Sequence, residues 1–336
     1  MPTEAIQTYS QLFSSSGTKQ KSLSRKELLA SSLKQELIKG LTADNKYISS
    51  KFFYDKYGSL LFEWITQLPE YYPTRTEKSL LKKFAPKLFG QLSHVNLIEL
   101  GSGDCSKISL VLNSIQKQKL KNIRYYPIDF SQSSIDKLKN NLNKTFGNLT
   151  IKGISSDFTK LTSLPNELPR IICFFGSTIG NFDSLEAEKL LIRIQEIMNP
   201  GDQLIVGLDM VKNRNILEAA YNDSQRITEA FNKNILRACN HLLETDFVCS
   251  DFQHVAFFND DLKRIEMHLE AKHNLHISSP HFNQYITIYK GERIHTENSH
   301  KFTMEMIHTL ANKSKLTINQ VFSDEKKWFS LVQFTK

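Results

Sequence analysis

The chain reads as an α/β protein: a mostly parallel sheet with an antiparallel last strand, interrupted by an inserted α+β region. Three observations predict this. From about residue 95 to residue 210, apolar strand-like runs alternate with helix-like runs, the order that sets parallel strands side by side with helices on their faces. After Asp209 the alternation stops, giving way to a helical stretch and then to two strands separated by an Asn-Asp-Asp turn. The C-terminal run then returns to helix, strand, strand.

In order, Ser24 and Glu27 form a capping box. The Leu29, Leu33, Leu37 and Leu41 spacing that follows predicts an amphipathic helix. An aromatic-rich segment punctuated by Pro69 and Pro73 comes next. VNLIEL (95–100) is a strand, GSGDCS a turn, and residues 107–118 a helix. IRYYPID (123–129) is a strand, residues 132–144 a helix, and LTIKGISSD (149–157) a strand ending in a carboxylate. RIICFF (170–175) is a strand, residues 184–198 a helix capped by Asp183, and QLIVGLDM (203–210) a further strand. Residues 215–244 read as one or two helices, and 246–275 as an antiparallel hairpin. Residues 303–315 form a helix, followed by two short strands with a tight polar connection.

Composition narrows the function classes. With 336 residues, 40% hydrophobic and 23% charged, the chain can bury a large core. No apolar run approaches the roughly 20 residues that span a bilayer, so no membrane partner is expected. Residues 1–23 lack a signal-peptide core and read as a Ser/Thr/Lys/Gln-rich leader. Cys105, Cys173, Cys239 and Cys249 show neither CxxC pairing nor metal-ligand spacing, so a reduced, cytoplasmic chain without metal is expected. The net charge of +8 is diffuse, which reads as a solvated basic surface and not a phosphate-tracking groove; no nucleic-acid partner is expected.

The chemistry gathers at strand ends. LIELGSGDCSK places Glu99, Gly101 and Gly103 at the end of the first strand, where open α/β sheets bind ligands and where a following helix adds partial positive charge. A third glycine of the dinucleotide fingerprint would fall at Ser106, so nicotinamide binding loses ground. Asp129 ends the second strand, placed to hold two ribose hydroxyls. Asp157 and Phe158 end the third, where an acid and a ring suit adenine. Each acid alone is equally well a helix cap. Together they suit a nucleoside whose other end is an amino acid, and S-adenosylmethionine fits. The fourth strand breaks into FFGSTIGNFD, small and uncharged up to Asp183.

KFFYDKYGSLLFEWITQLPEYYPTRTE, LIELGSGDCSK, FFGSTIGNF, AYNDSQRITEAFNKNIL, RIEMHLEAK and HTENSHKF closely resemble the histidine-specific Nα-methyltransferases of ergothioneine biosynthesis, whose relatives include enzymes methylating tryptophan derivatives. The similarity runs from about residue 30 to the C-terminus. One departure is Asp104-Cys105-Ser106-Lys107 where the family pattern has Thr-Ser-Glu-Lys. The resemblance implies a class I Rossmann-like methyltransferase sheet and S-adenosylmethionine bound through Gly101, Gly103, Lys107, Asp129, Asp157 and Phe158. It implies a monomer that trimethylates the α-amino group of L-histidine, with Tyr54, Gly176 and Thr178 as the catalytic set. Phe62, Tyr71, Asn181, Tyr221, Met267, Glu297 and Ser299 would bind substrate. Residues 24–75 and 211–299 would form the substrate-binding domain, and 76–210 with 300–336 the methyltransferase domain.

Direct displacement at a methyl group needs a neutral amine held in line, not an enzymic nucleophile. A small uncharged strand end suits that, because a carboxylate beside the amine would hold it as ammonium. Glu297 and Ser299, two residues apart on an extended stretch, would face one way and satisfy both imidazole nitrogens. An indole would leave Glu297 buried and unpaired.

Overall fold

The computed structural model describes residues 25–336; the leader expected over residues 1–23 and the capping hydroxyl of Ser24 lie outside them. The chain begins with α1 (Arg25–Leu41), α2 (Lys56–Ile65) and α3 (Tyr72–Phe89). The alternating region follows as β1 (Val95–Leu100), α4 (Ser106–Asn113), α5 (Lys117–Leu120), β2 (Ile123–Asp129) and α6 (Gln132–Thr145). It continues through β3 (Thr150–Ile151), β4 (Ile154–Ser155), β5 (Arg170–Phe174), α7 (Ser184–Ile197) and β6 (Gln203–Asp209). After it come α8 (Arg214–Ala219), α9 (Ile227–Leu243), β7 (Phe252–Asn259), β8 (Arg264–Ala271), β9 (Leu275–Ile277), β10 (Ile286–Ile288) and β11 (Arg293–His300). The chain closes with α10 (Met304–Ser314), β12 (Thr317–Ser323) and β13 (Phe329–Thr335).

The main sheet runs β12-β13-β6-β5-β1-β2-β3, with β4 also on β2. Strands β1 to β6 pair parallel, and β13 lies antiparallel to both β6 and β12. The expected mostly parallel sheet with its antiparallel last strand is therefore present. β1 and β5 are buried at every position because helices cover both faces, which is why they read as continuous apolar runs. Asp183 caps α7 through a complete capping box with Glu186.

Two predicted elements are broken. The strand over 149–157 is split between β3 and β4 at Gly153, where a Cβ would lie 2.2 Å from Ile135 Cγ2 of α6. The helix over 107–118 ends at Asn113. The Ser114 hydroxyl donates to the Val111 carbonyl, competing with the helical ladder, and α5 starts afresh after Gln116.

The interruption after Asp209 holds two helices, then the β7–β8 hairpin. β11 adds to β8 to make a three-stranded antiparallel sheet, and β9 pairs with β10 in a small separate one. Leu37 and Leu41 of α1, Phe53, Leu61 of α2 and Tyr72 share one core with Phe231 and Leu236 of α9 and with Met267, Leu269 and Ile294. Two other cores flank the main sheet, one holding Leu81, Leu97, Val111 and Leu331, the other Ile98, Phe174, Leu191 and Val332. No helix among the described residues is long and apolar enough to cross a membrane.

Candidate active site

The glycine loop leaves β1 with Gly101 and Gly103 both in the left-handed region, at φ 67° and 49°. Glycine takes this conformation without the cost a side chain adds. At Gly101 a Cβ would also meet the Phe158 ring at 3.5 Å. The Gly103 N–H points at Asp129 Oδ2 (3.3 Å), and Asp129 Oδ1 accepts from the Ser131 N–H at 3.0 Å. Glu99 lies under the loop, accepting a hydrogen bond from the Tyr125 hydroxyl, and burial pushes its carboxyl up to about 8. Asp157 caps the short turn Phe158–Lys160 by accepting from Thr159, so one of its oxygens does the local work foreseen for a cap. Asp104 accepts from the N–H and hydroxyl of Ser106 at the start of α4, and Cys105 packs on the core below. Within this loop the Ser102 hydroxyl is buried with no partner among the described residues. That orphan, the Asp129 carboxylate and the Phe158 ring fit a polar ligand with a flat aromatic end.

At the end of β5 the backbone turns sharply: Gly176 has φ 82° and Ser177 has φ 55°. A serine there carries local strain, which the surroundings must hold. They do: the Ser177 hydroxyl accepts from the Asp209 N–H at 2.9 Å, and the Gly176 N–H donates to Glu77 Oε1 and Oε2 at 2.8 and 3.0 Å. The Thr178 hydroxyl donates to the Phe175 carbonyl at 2.9 Å. The hydrogens of Gly176 N and Thr178 Oγ1 are thus engaged internally, and what these groups can still offer is acceptor oxygens. Asn181, half-buried, ends the same turn.

Lys107, expected beside the cofactor, forms an ion pair with the fully buried Glu77 at 2.7 Å. Its Nζ also lies 2.8 Å from where a Cβ at Gly176 would sit. Lys107 therefore braces the strand-end turn against the glycine-loop helix.

The other expected substrate residues come together from four segments. Tyr54 follows the short turn Ser50–Phe53. It stands edge-on to Phe62 of α2 (5.7 Å between ring centres) and to Phe231 of α9 (5.8 Å). Phe62 meets Tyr71 at 6.2 Å, and Tyr71 meets Tyr221 at 6.3 Å. Tyr54 itself is 43% exposed, so this end of the aromatic group is open to solvent. The Tyr221 hydroxyl donates to Ser299 Oγ at 2.7 Å.

β11 carries a bulge between His295 and Glu297, so that Glu297 pairs with Met267 and Ser299 with Ile265. Met267 and Ile265 face the core, and Glu297 and Ser299 share their side of the sheet. The Glu297 carboxylate forms no ion pair or hydrogen bond among the described residues. Burial pushes its carboxyl up to about 7 against the pull of Lys301.

Sequence reasoning missed an ionic hub. Asp209, at the end of β6, accepts from the Tyr72 hydroxyl at 2.9 and 2.8 Å and pairs with Lys212 and with Lys301 (2.9 Å). Burial alone would raise its carboxyl, but the two lysines hold it below the usual range. The Lys301 ammonium also donates to Ser299 Oγ (2.8 Å) and to the Tyr221 hydroxyl (3.2 Å). Glu77 was equally hidden, a lone acid at the end of the TRTE run with nothing nearby in the sequence to mark its partners.

The glycine loop, the acid ending β2, the aromatic beside the loop and the antiparallel last strand define an S-adenosylmethionine-dependent methyltransferase. Residues 33–336 match the model of the family described as "Histidine-specific methyltransferase, SAM-dependent". The chain belongs to this family, and S-adenosylmethionine is its methyl donor. It is 35% identical to the histidine N-alpha-methyltransferase of Mycolicibacterium smegmatis over 83% of this chain and 87% of that protein. It is 34% identical to the protein of the same name from Mycobacterium tuberculosis over 82% and 86%. Ergothioneine biosynthesis protein 1 of Schizosaccharomyces pombe is 31% identical over 71% of this chain, a match covering 32% of that longer protein.

Proposed function

We propose that this chain transfers three methyl groups in succession to the α-amino nitrogen of free L-histidine, giving the trimethylated betaine that opens ergothioneine biosynthesis. The observation that carries the substrate assignment is Glu297: a half-buried carboxylate without a protein partner among the described residues, two residues from the Ser299 hydroxyl. An imidazole offers an N–H to the first and a ring nitrogen to the second. An indole has only an N–H. Met267, the register partner of Glu297, would close the pocket behind the ring.

S-adenosylmethionine supplies an electrophilic methyl group when bound. Gly101, Gly103, Ser102, Asp129, Asp157 and Phe158 would hold it, with Lys107 acting through Glu77. The protein's part is positioning, worth on the order of 7–11 kcal/mol in well-aligned cases. Asn181 would hold the substrate carboxylate, while Tyr221, its hydrogen engaged by Ser299 Oγ, would line the pocket. Tyr54, the Gly176 carbonyl and Thr178 Oγ1 would surround the amine with acceptors that are not carboxylates. The amine then loses its proton readily and is not trapped as ammonium. Small residues at 176 to 180 leave room as methyl groups accumulate.

In this reading residues 24–75 and 211–299 form the substrate-binding domain over a methyltransferase domain of 76–210 and 300–336. The core shared by α1, α2, α9 and the three-stranded sheet supports that division. The enzyme works as a cytoplasmic monomer on a free amino acid, with neither nucleic acid nor membrane as partner. The test is an incubation with S-adenosylmethionine and all twenty amino acids in competition, read by mass spectrometry. Histidine alone should gain the mass of three methylene units; faster methylation of tryptophan or tyrosine would overturn the assignment.

A further inference from the structure

Lys301 is an unusual residue to find beside a substrate pocket. Its side chain is 1% exposed, and its three ammonium hydrogens have three acceptors: Asp209 Oδ2, Ser299 Oγ and the Tyr221 oxygen. None is left for a ligand. Ser299 Oγ in turn receives two hydrogen bonds, from Lys301 at 2.8 Å and from Tyr221 at 2.7 Å. A serine hydroxyl has two acceptor sites and one hydrogen. With both acceptor sites filled, the only thing Ser299 can still do is donate. Glu297 is its opposite, a carboxylate that accepts and forms no bond to protein among the described residues.

We propose that Lys301 is a positioning residue for substrate specificity: by occupying Ser299 Oγ it fixes that hydroxyl as a donor and so selects one tautomer of a neutral imidazole. This rests on the reading of Glu297 and Ser299 as the imidazole pair. The ring nitrogen facing Ser299 must carry a lone pair, and the one facing Glu297 must carry the hydrogen. Imidazolium, with two N–H groups, would set a donor against a donor at Ser299. An indole can still offer its N–H to Glu297 but would leave the Ser299 hydrogen without an acceptor, so the discrimination against it falls at Ser299. Lys301 acts without touching the substrate, through a hydroxyl whose orientation would otherwise be free to rotate.

The test is a double-mutant cycle on the full chain, measuring kcat and KM for histidine in wild type, Ser299→Ala, Lys301→Met and the double variant. In Lys301→Met, Asp209 keeps Tyr72 and Lys212 as partners. Should that variant not fold, the charge-balanced Asp209→Asn/Lys301→Met replaces it throughout the cycle. Each single change should raise KM about tenfold, the worth of one hydrogen bond to a buried group. The double variant should be no worse than Lys301→Met alone, with kcat little changed in all. Additive effects, near a hundredfold in the double variant, would overturn the proposal, as would a fall in kcat at constant KM. A wild-type KM in Ser299→Ala would overturn the imidazole reading itself, and the role of Lys301 with it.

Discussion

Glu297 sets recognition against stability within a single side chain. Burial raises its carboxyl from 4.5 to about 7. Below pH 4.5 the folded and unfolded chains both hold the proton, and the residue is neutral toward folding. Between 4.5 and 7 the unfolded chain loses its proton first, so rising pH favours unfolding. Above about 7 the folded chain carries a charge that burial opposes, and the penalty is complete. Glu297 is half-buried, so solvent offsets part of this penalty, and Glu297→Gln should stabilise the chain at pH 8 by about 1–3 kcal/mol, and not at pH 4. Urea unfolding at the two pH values measures this. The same variant should lose at least about tenfold in kcat/KM for histidine, because a charge-assisted bond to the ring becomes a neutral one. Equal stability of variant and wild type at pH 8 would mean that the carboxylate is better solvated than its position implies. A gain in stability with a loss of turnover is the pattern of a residue kept for binding.

Among elements, the strand-end turn of β5 depends on a glycine in the neighbouring strand. A methyl group at Gly207 in β6 would lie 2.2 Å from Glu77 Oε1 and 3.1 Å from Phe329 Cε1. Glu77 holds both the Gly176 N–H and Lys107. Gly207→Ala should expel that carboxylate, release the turn, lower kcat more than tenfold and cost about 1–3 kcal/mol through overpacking. Gly201→Ala is the control: φ is 89° and nothing lies within 4 Å, so only local strain follows and kcat should hold. This dependence was not legible in the sequence, whereas the mostly parallel sheet with its antiparallel last strand was. Parallel strands buried on both faces announce themselves as apolar runs, and acids at their ends mark the ligand edge. The shared facing of Glu297 and Ser299 was readable from their spacing. The bulge was not: Ile294 and Glu297 lie three apart, so an unbroken strand would turn them to opposite faces, and the extra residue, Thr296, reconciles them by bonding to Asn232 and Met267. Glu77, Asp209 and Lys301 escaped notice because a charged residue reads as surface until a partner far along the chain is known. The pairing of Lys107 with Glu77 was hidden for the same reason, its two members lying thirty positions apart on different helices.

At the scale of the whole molecule, Asp209 lies where the cores meet. It ends β6 of the main sheet, accepts from Tyr72 of the core shared by α1, α2 and α9, and pairs with Lys301, just past the end of β11. The Phe302 N–H donates to its carbonyl at 2.8 Å, and its own N–H reaches Ser177 in the strand-end turn. The hub thus ties the three-stranded sheet, the main sheet and the turn together through one carboxylate. Replacing it by asparagine leaves Lys301 buried beside a neutral group, the situation in which removing one member of a buried pair costs about 3–5 kcal/mol. Lys212 suffers less, since burial already brings its ammonium down to about 8 and it can shed the proton. Asp209→Asn should therefore lower the melting temperature by several degrees. Asp209→Asn/Lys301→Met, which removes the stranded charge, should recover a large part of the loss even though it deletes more of the native network. Calorimetry of the three chains distinguishes this from simple loss of contacts, which predicts that the double variant is the least stable. If the double variant melts below Asp209→Asn, the hub holds the cores together through hydrogen bonds and packing, and charge balance is secondary. If it melts above, the buried charges are an electrostatic unit retained for the pocket they shape, with Ser299 and Tyr221 at its edge.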